Sequence, residues 1–371
     1  MCDRLVETFP DSLAPNTLTL VGFIHAILPA FIMFFVGGAS LEGPLPKWFF
    51  FLQFYAFLTY RVLDECDGKQ ARRTGNSSPL GLIFDHGCDC FAAGCQAMML
   101  LRTAQVGNNM YTITMLTLGL WSFHFTTLEE YYIGILRLPP GNAVSDGLVP
   151  ALLLFLCAGI FGYDVYTKEL LDVSFLGFEG TKLTIGETLV TGFCIFLTIT
   201  LILNFCRIIA SHWDPWETQS EKVCFSSLLL QVAGIVLLTA AWFKYATIGE
   251  DPILGKSTIT AKSTDATQTE NVPFILHLFT FSFVIAHTTI WLQLCHVTRQ
   301  KFHPFTKVFC VVLIVYALCI ANYWLEKPMK LDVKAIGFYL LVFVIFFQWI
   351  FVFMAIHEIT VALDIYVFKT H

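Results

Sequence analysis

Long apolar runs separated by short polar interruptions fill almost the whole chain. A run of about 18 to 25 mostly apolar residues is what a helix needs to cross a hydrocarbon core of about 30 Å. Such runs recur near residues 17–39, 46–66, 80–102, 108–128, 147–165, 184–209, 223–245, 272–296, 306–324 and 335–362. They predict about ten spanning helices and an all-α polytopic membrane protein. The only long polar stretch between helices, Gly249 to Asn271, is rich in Ser, Thr and Lys and reads as a solvated loop. Residues 1–371 are therefore expected to form a single membrane domain.

Composition agrees with this pattern. The chain is 56% apolar and 13% charged, with a mean hydropathy of +0.68, against about 25% charged residues in soluble domains. A net charge of -6 and the lack of a basic cluster interleaved with aromatics leave a nucleic-acid partner unsupported, and none is expected. The first sixteen residues carry acids and prolines where a cleavable signal needs a basic region and an apolar run, so insertion is expected to use internal helices. Most of the twelve cysteines lie within apolar runs without framework spacing, and no disulfides are expected. An even number of helices places both termini on one side. The Lys and Arg residues divide almost equally between the two sides, so orientation has to come from the chemistry.

That chemistry concentrates between the second and third runs. The chain reads Asp64-Glu65-Cys66-Asp67-Gly68-Lys69-Gln70-Ala71-Arg72-Arg73 and then Gly81-Leu82-Ile83-Phe84-Asp85-His86-Gly87-Cys88-Asp89. Asp64 and Asp67 are three apart, and Asp85 and Asp89 four apart. Each pair shares a helix face, and four acids flank one short polar turn. Gly68, Ala71 and Gly81 leave room for close approach of helices and of a ligand's phosphates. Carboxylates at membrane depth cost roughly 2.5 to 3.5 kcal/mol each on insertion scales, so four need cations or a wet cavity. Oxygen donors suit Mg²⁺ or Mn²⁺. Two ions about 3.5 to 4 Å apart would clamp an in-line phosphoryl displacement, with the Arg72 fork holding a phosphate. The plain alternative is a solvated interfacial turn paired with Lys69, Arg72 and Arg73. A zinc site on Cys66, His86, Cys88 and Cys90 has suitable atoms, but it lacks a CxxC pair and its alternate helix positions face different ways.

The run Asp64-x2-Asp67-Gly68-x2-Ala71-Arg72-x8-Gly81-x3-Asp85-x3-Asp89 resembles, at all eight fixed positions over 26 residues, the motif of the CDP-alcohol phosphotransferases. DGKQARRT, SSPLG and FDHGCD, with the early Ala14-Pro15-Asn16-Thr17-Leu18-Thr19, are similar to the eukaryotic choline and ethanolamine phosphotransferase branch. The resemblance covers the amino-terminal half. It implies ten helices, a homodimer, an endoplasmic reticulum or Golgi membrane and a cytosol-facing site. It implies a catalytic core over residues 45–210, with 223–371 supplying later helices toward a dimer or lipid. Asp64, Asp67, Asp85 and Asp89 would bind two metal ions (Mg²⁺ or Mn²⁺), and Asn16, Gly68, Ala71, Arg72 and Gly81 would contact the CDP part. The branch usually has Glu where this chain has Leu82, so one expected donor contact is missing or supplied elsewhere. The chain is also expected to lack the longer amino-terminal extension common in relatives.

His86 can accept a proton near neutral pH and is expected to be the general base, a role the resemblance also favours. Asp89 competes for it, although a metal-bound carboxylate is a poorer base. The segment from Glu129-Glu130-Tyr131-Tyr132 to Leu138-Pro139-Pro140-Gly141 resembles that of ethanolamine phosphotransferases. Glu129 and Tyr131 are the candidates for holding an amino-alcohol cation, with an interfacial aromatic belt as the alternative. The expected reaction transfers phosphoethanolamine or phosphocholine from CDP-ethanolamine or CDP-choline to 1,2-diacylglycerol, yielding phospholipid and CMP. The rivals are a transferase for a different alcohol and a metal-ion transporter. A transporter would spread its acids over several helices and depths, whereas these gather in one turn.

Overall fold

The computed structural model describes residues 2–134, 147–172, 182–212, 225–248, 272–325 and 327–370. A short α1 (Cys2–Val6) precedes α2 (Pro15–Gly37), α3 (Lys47–Thr74), α4 (Pro79–Thr103), α5 (Met110–Ile133) and α6 (Leu148–Phe161). After a 3₁₀ turn (Tyr163–Thr167), β1 (Glu169–Asp172) and β2 (Lys182–Thr184) pair antiparallel. Helices α7 (Ile185–His212), α8 (Phe225–Thr247), α9 (Val272–Thr298), α10 (Lys307–Tyr323) and α11 (Val333–Leu363) complete the chain. Each of the ten apolar runs falls, in order, on one of α2 to α11. Five of these helices, α2, α7, α8, α9 and α11, are long and apolar enough to cross a membrane. The expected loop at Gly249 to Asn271 lies outside the described residues.

Two departures from the sequence reading have local causes. The run expected to stop near residue 66 continues to Thr74, so Asp67, Gly68 and Arg72 ride on α3 and not on a turn. Nothing between them breaks a helix until Gly75, whose φ of 70° suits a residue without Cβ. The Asn76 amide then donates to the Ala71 carbonyl at 2.9 Å, closing the helix end. The small ribbon after α6 was not anticipated, because strands of four and three residues are too short for alternation to register.

Three residues after Gly75, Ser78 begins α4: its hydroxyl accepts the Gly81 amide hydrogen at 3.2 Å, and Pro79 occupies the first turn. A left-handed glycine followed by a serine cap thus turns the chain back within four residues. That turn brings the two acidic segments face to face.

Helix α2 packs against both α3 and α4, α5 packs against α4, α7 and α9, and α9 also packs against α4 and α11. The apolar window of α9 is 78% buried, against 22% for α7 and α11, so α9 is the central helix of the later half. Its approach to α4 depends on Gly94: a Cβ there would stand 3.0 Å from the Ser282 Cβ. Replacing Gly94 with Leu forces the two helices apart. It is expected to destabilise the protein by roughly 1 to 3 kcal/mol, read as a lower unfolding midpoint of the purified protein in detergent.

Candidate active site

The facing ends of α3 and α4 bring Asp64, Asp67 and Asp85 together. One carboxylate oxygen from each lies within 4.8 Å of the others. Three of the four aspartates are held by a neighbour that sequence spacing only partly advertised. Arg61, one helical turn before Asp64, pairs with its Oδ2 at 2.7 Å. Thr19 on α2 donates to Asp67 Oδ2 at 2.5 Å. Asp89 accepts from the Tyr60 hydroxyl. Asp85 Oδ1, by contrast, is buried and has no hydrogen-bond partner, a costly state for a carboxylate oxygen. An all-oxygen donor set containing an orphaned buried oxygen fits a hard divalent cation, so the cluster can hold a metal ion.

The basic residues beside the cluster divide into two roles. Lys69 lies 2.9 Å from Asp3 and 3.6 Å from Glu65. The hydrogen bond from Lys69 holds the Asp3 carboxyl below the usual carboxylate range. Arg73 pairs with Asp11 at 3.2 Å and donates to the Phe9 carbonyl at 2.6 Å. Both therefore tie the amino-terminal segment to α3 and leave the four aspartates alone. Arg72 is exposed, and among the described residues no hydrogen bond or ion pair engages its guanidinium. Its Nη1 stands 3.6 Å from where a Cβ on Gly68 would lie, so it reaches across the bare surface of that glycine.

Asn16 and Gly81 meet from α2 and α4: a Cβ on Gly81 would be 3.6 Å from Asn16 Oδ1. The Asn16 amide nitrogen donates to the Val367 carbonyl at 2.8 Å, so the carboxy-terminal segment lies across this edge. Ala71 is partly exposed on α3, one helical turn beyond Gly68.

On α4, His86 is only 12% exposed through its side chain. Its Nδ1 is in hydrogen-bond contact with the Gln293 amide nitrogen of α9. Gln293 also donates to Glu130 Oε2 at 3.0 Å. Of the two adjacent glutamates at the end of α5, Glu130 is thus the one that turns toward His86. Glu129 turns away and pairs with Arg207 of α7 at 2.8 Å. Tyr131 is 2% exposed, donates to the Gln300 carbonyl at 2.9 Å and accepts the Phe302 amide hydrogen at 3.1 Å. Residues 135–141, the rest of that head-group segment, lie outside the described residues.

Two cavities flank α4. One of about 540 Å³ is almost entirely apolar and opens beside the acids, with Gly87, Cys88, Phe84 and Phe91 on one wall and Phe23 of α2 on another. Phe368 of the carboxy-terminal segment also lines it, edge to face with Phe84. The second, about 160 Å³, is lined by Tyr60, Arg61, Asp89 and Gln96. Tyr60, Arg61 and Asp89 thus face the smaller space, whereas the larger one is walled on α4 by the chain neighbours of Asp85 and Asp89.

Residues 12–163 match the model of a family described as CDP-alcohol phosphatidyltransferase. An uncharacterized CDP-alcohol phosphatidyltransferase class-I family protein 2 of Dictyostelium discoideum is 30% identical over 243 residues, covering 66% of this chain and 54% of its own length. Choline/ethanolaminephosphotransferase 1 of Arabidopsis thaliana is 34% identical over 167 residues, 45% of this chain and 42% of that protein. Choline/ethanolaminephosphotransferase 1 of Saccharomyces cerevisiae is 25% identical over 372 residues, 98% of this chain and 88% of its own length. The match thus spans about half the length of the first two relatives and nearly all of the yeast protein.

Proposed function

We propose that this chain, whose residues 12–163 match the CDP-alcohol phosphatidyltransferase family, transfers phosphoethanolamine or phosphocholine from the CDP-alcohol to 1,2-diacylglycerol, releasing CMP. The observation that carries this reading is the three-carboxylate cluster, with its orphaned Asp85 oxygen, set beside an apolar cavity of about 540 Å³. A water-soluble donor needs the first feature. A lipid acceptor needs the second.

Asp64, Asp67 and Asp85, with Asp89 beside them, are the residues that would hold two Mg²⁺ or Mn²⁺ ions. Those ions, when bound, neutralise the donor pyrophosphate and stabilise charge on departing CMP. Arg61, Thr19 and Tyr60 fix the carboxylates of Asp64, Asp67 and Asp89, so the cup keeps its shape between turnovers. Arg72 offers an uncommitted fork to a donor phosphate, with the bare face of Gly68 beneath it. Asn16 and Gly81 border the same space from α2 and α4. His86 takes the proton from the acceptor hydroxyl as that oxygen attacks the β-phosphorus, and the apolar cavity keeps water from competing for the phosphoryl group. No covalent enzyme intermediate is needed. The protein is placed as a homodimer in the endoplasmic reticulum or Golgi membrane with the aspartates toward the cytosol. The motif's resemblance to the eukaryotic branch supports that placement.

Purified protein in lipid, given diacylglycerol and either CDP-ethanolamine or CDP-choline, is expected to release CMP in the presence of Mg²⁺ or Mn²⁺. Release should stop on adding EDTA and resume when the ion is restored. The donor that supports release identifies the head group. Metal-independent release, or none with either donor, would overturn the reading.

A further inference from the structure

We infer that Gln293 of α9, held in turn by Glu130 of α5, is a positioning residue for His86, so that the base works only when a helix outside the family domain grips its rear nitrogen. This rests on the reading of His86 as the base.

His86 has two ring nitrogens, and the structure commits one of them. Nδ1 faces the Gln293 amide, with the Glu130 carboxylate 4.0 Å away, which leaves Nε2 as the nitrogen able to face an acceptor hydroxyl. A neutral imidazole can receive a proton at Nε2 only if its own proton sits on Nδ1, and an Nδ1–H needs an acceptor behind it. Gln293 is built to supply one. It is 1% exposed, so no water competes for the contact. Its Oε1 is buried without a hydrogen-bond partner in the orientation described. The amide's oxygen and nitrogen occupy nearly the same shape, and a half-turn of the group brings Oε1 to Nδ1–H. The same amide nitrogen touches both partners, His86 Nδ1 and, at 3.0 Å, Glu130 Oε2, so the half-turn that presents Oε1 to Nδ1–H presents it to Glu130 as well, and the contact is kept only with a carboxyl that donates.

No other described side chain bridges His86 to the far half of the chain by a hydrogen bond. His86 is on α4 and Glu130 on α5, both within residues 12–163, whereas Gln293 is 207 positions beyond His86. The contact is a sequence-distant one in which a buried amide near the end of α9, with no packing advantage over Leu or Met, stands against a ring nitrogen. Orienting the far nitrogen of a working histidine is a common use of such a group.

The test compares kcat and KM for CMP release in Gln293→Met, His86→Ala, the two combined, and the exchanged pair Glu130→Gln with Gln293→Glu. Gln293→Met keeps the side-chain length without the amide. It is expected to lower kcat roughly 10- to 100-fold, with KM for the CDP-alcohol within about twofold. Added to His86→Ala, it should cause no further loss. The exchanged pair restores a carboxyl and an amide to the same space and should recover most of kcat. Should Gln293→Met prove unfolded, Gln293→Asn, whose amide falls one methylene short, gives the same reading. Wild-type kcat in Gln293→Met, or an equal loss in the His86→Ala background, would overturn the inference while leaving His86 as the base. Full activity in His86→Ala would sink the base itself, and the inference with it.

Discussion

Asp85→Asn protein is expected to release CMP roughly a thousandfold more slowly than the wild type, with its fold and its membrane insertion unchanged. Asn matches the shape of Asp, so packing on α4 is preserved. The substitution removes one unit of negative charge from the cluster and replaces one carboxylate oxygen with an amide nitrogen whose hydrogens face the space a cation would occupy. Asp85 is the sharpest choice because its Oδ1 is the orphan: Asp64, Asp67 and Asp89 each have an internal partner that would soften the effect. Binding of Mn²⁺ by the purified protein, followed by its paramagnetic resonance signal, should weaken roughly 10- to 100-fold in parallel. If the variant turned over within tenfold of the wild type, the carboxylate cluster would not be the catalytic centre.

His86→Ala is expected to show a different pattern of loss. A positioned base contributes roughly 10²- to 10⁴-fold, and the loss should appear in kcat. KM for the CDP-alcohol and the affinity for Mn²⁺ should stay close to wild type, because neither reading places the ring on the donor. Loss of turnover with metal binding kept separates His86 from the aspartates. Asp89 is the competing base, and the structure weakens its case: the Tyr60 hydroxyl already occupies one of its oxygens. Retention of turnover in His86→Ala, with loss in Asp89→Asn, would reverse the assignment.

Much of this architecture is written in the chain. Ten apolar runs mark ten helices because each buries or presents to lipid a full helical circumference. The acids announce themselves by spacing, since three and four residues are the two intervals that stack side chains on one helix face. Arg61 was legible by the same rule, three positions before Asp64, but it lies inside an apolar run where the eye follows hydropathy. The fates of Lys69, Arg72 and Arg73 were not legible. Three cations within about one helical turn differ only in which face of α3 meets the amino-terminal segment, and that is a tertiary fact. The same holds for Glu129 and Glu130, consecutive on α5 and therefore about 100° apart around it. One turns to Arg207 and the other to Gln293. Helix α9 was hidden most completely. Hydropathy gives an apolar helix the same score whether lipid or protein surrounds it, so its central place could not be read from residues 272–298 alone.

The position of α9 also changes how variation in this chain should be interpreted. Ser282 rests against the bare surface of Gly94, and about three turns further on Gln293 touches the ring of His86. Chimaeras that keep residues 12–163 and borrow later helices from a relative would leave the aspartate motif intact, yet they would exchange the wall behind its histidine. If His86 is the base, such a hybrid is expected to lose turnover with its aspartate motif intact, and inherited substitutions along α9 then belong with those of the motif when natural variants are compared.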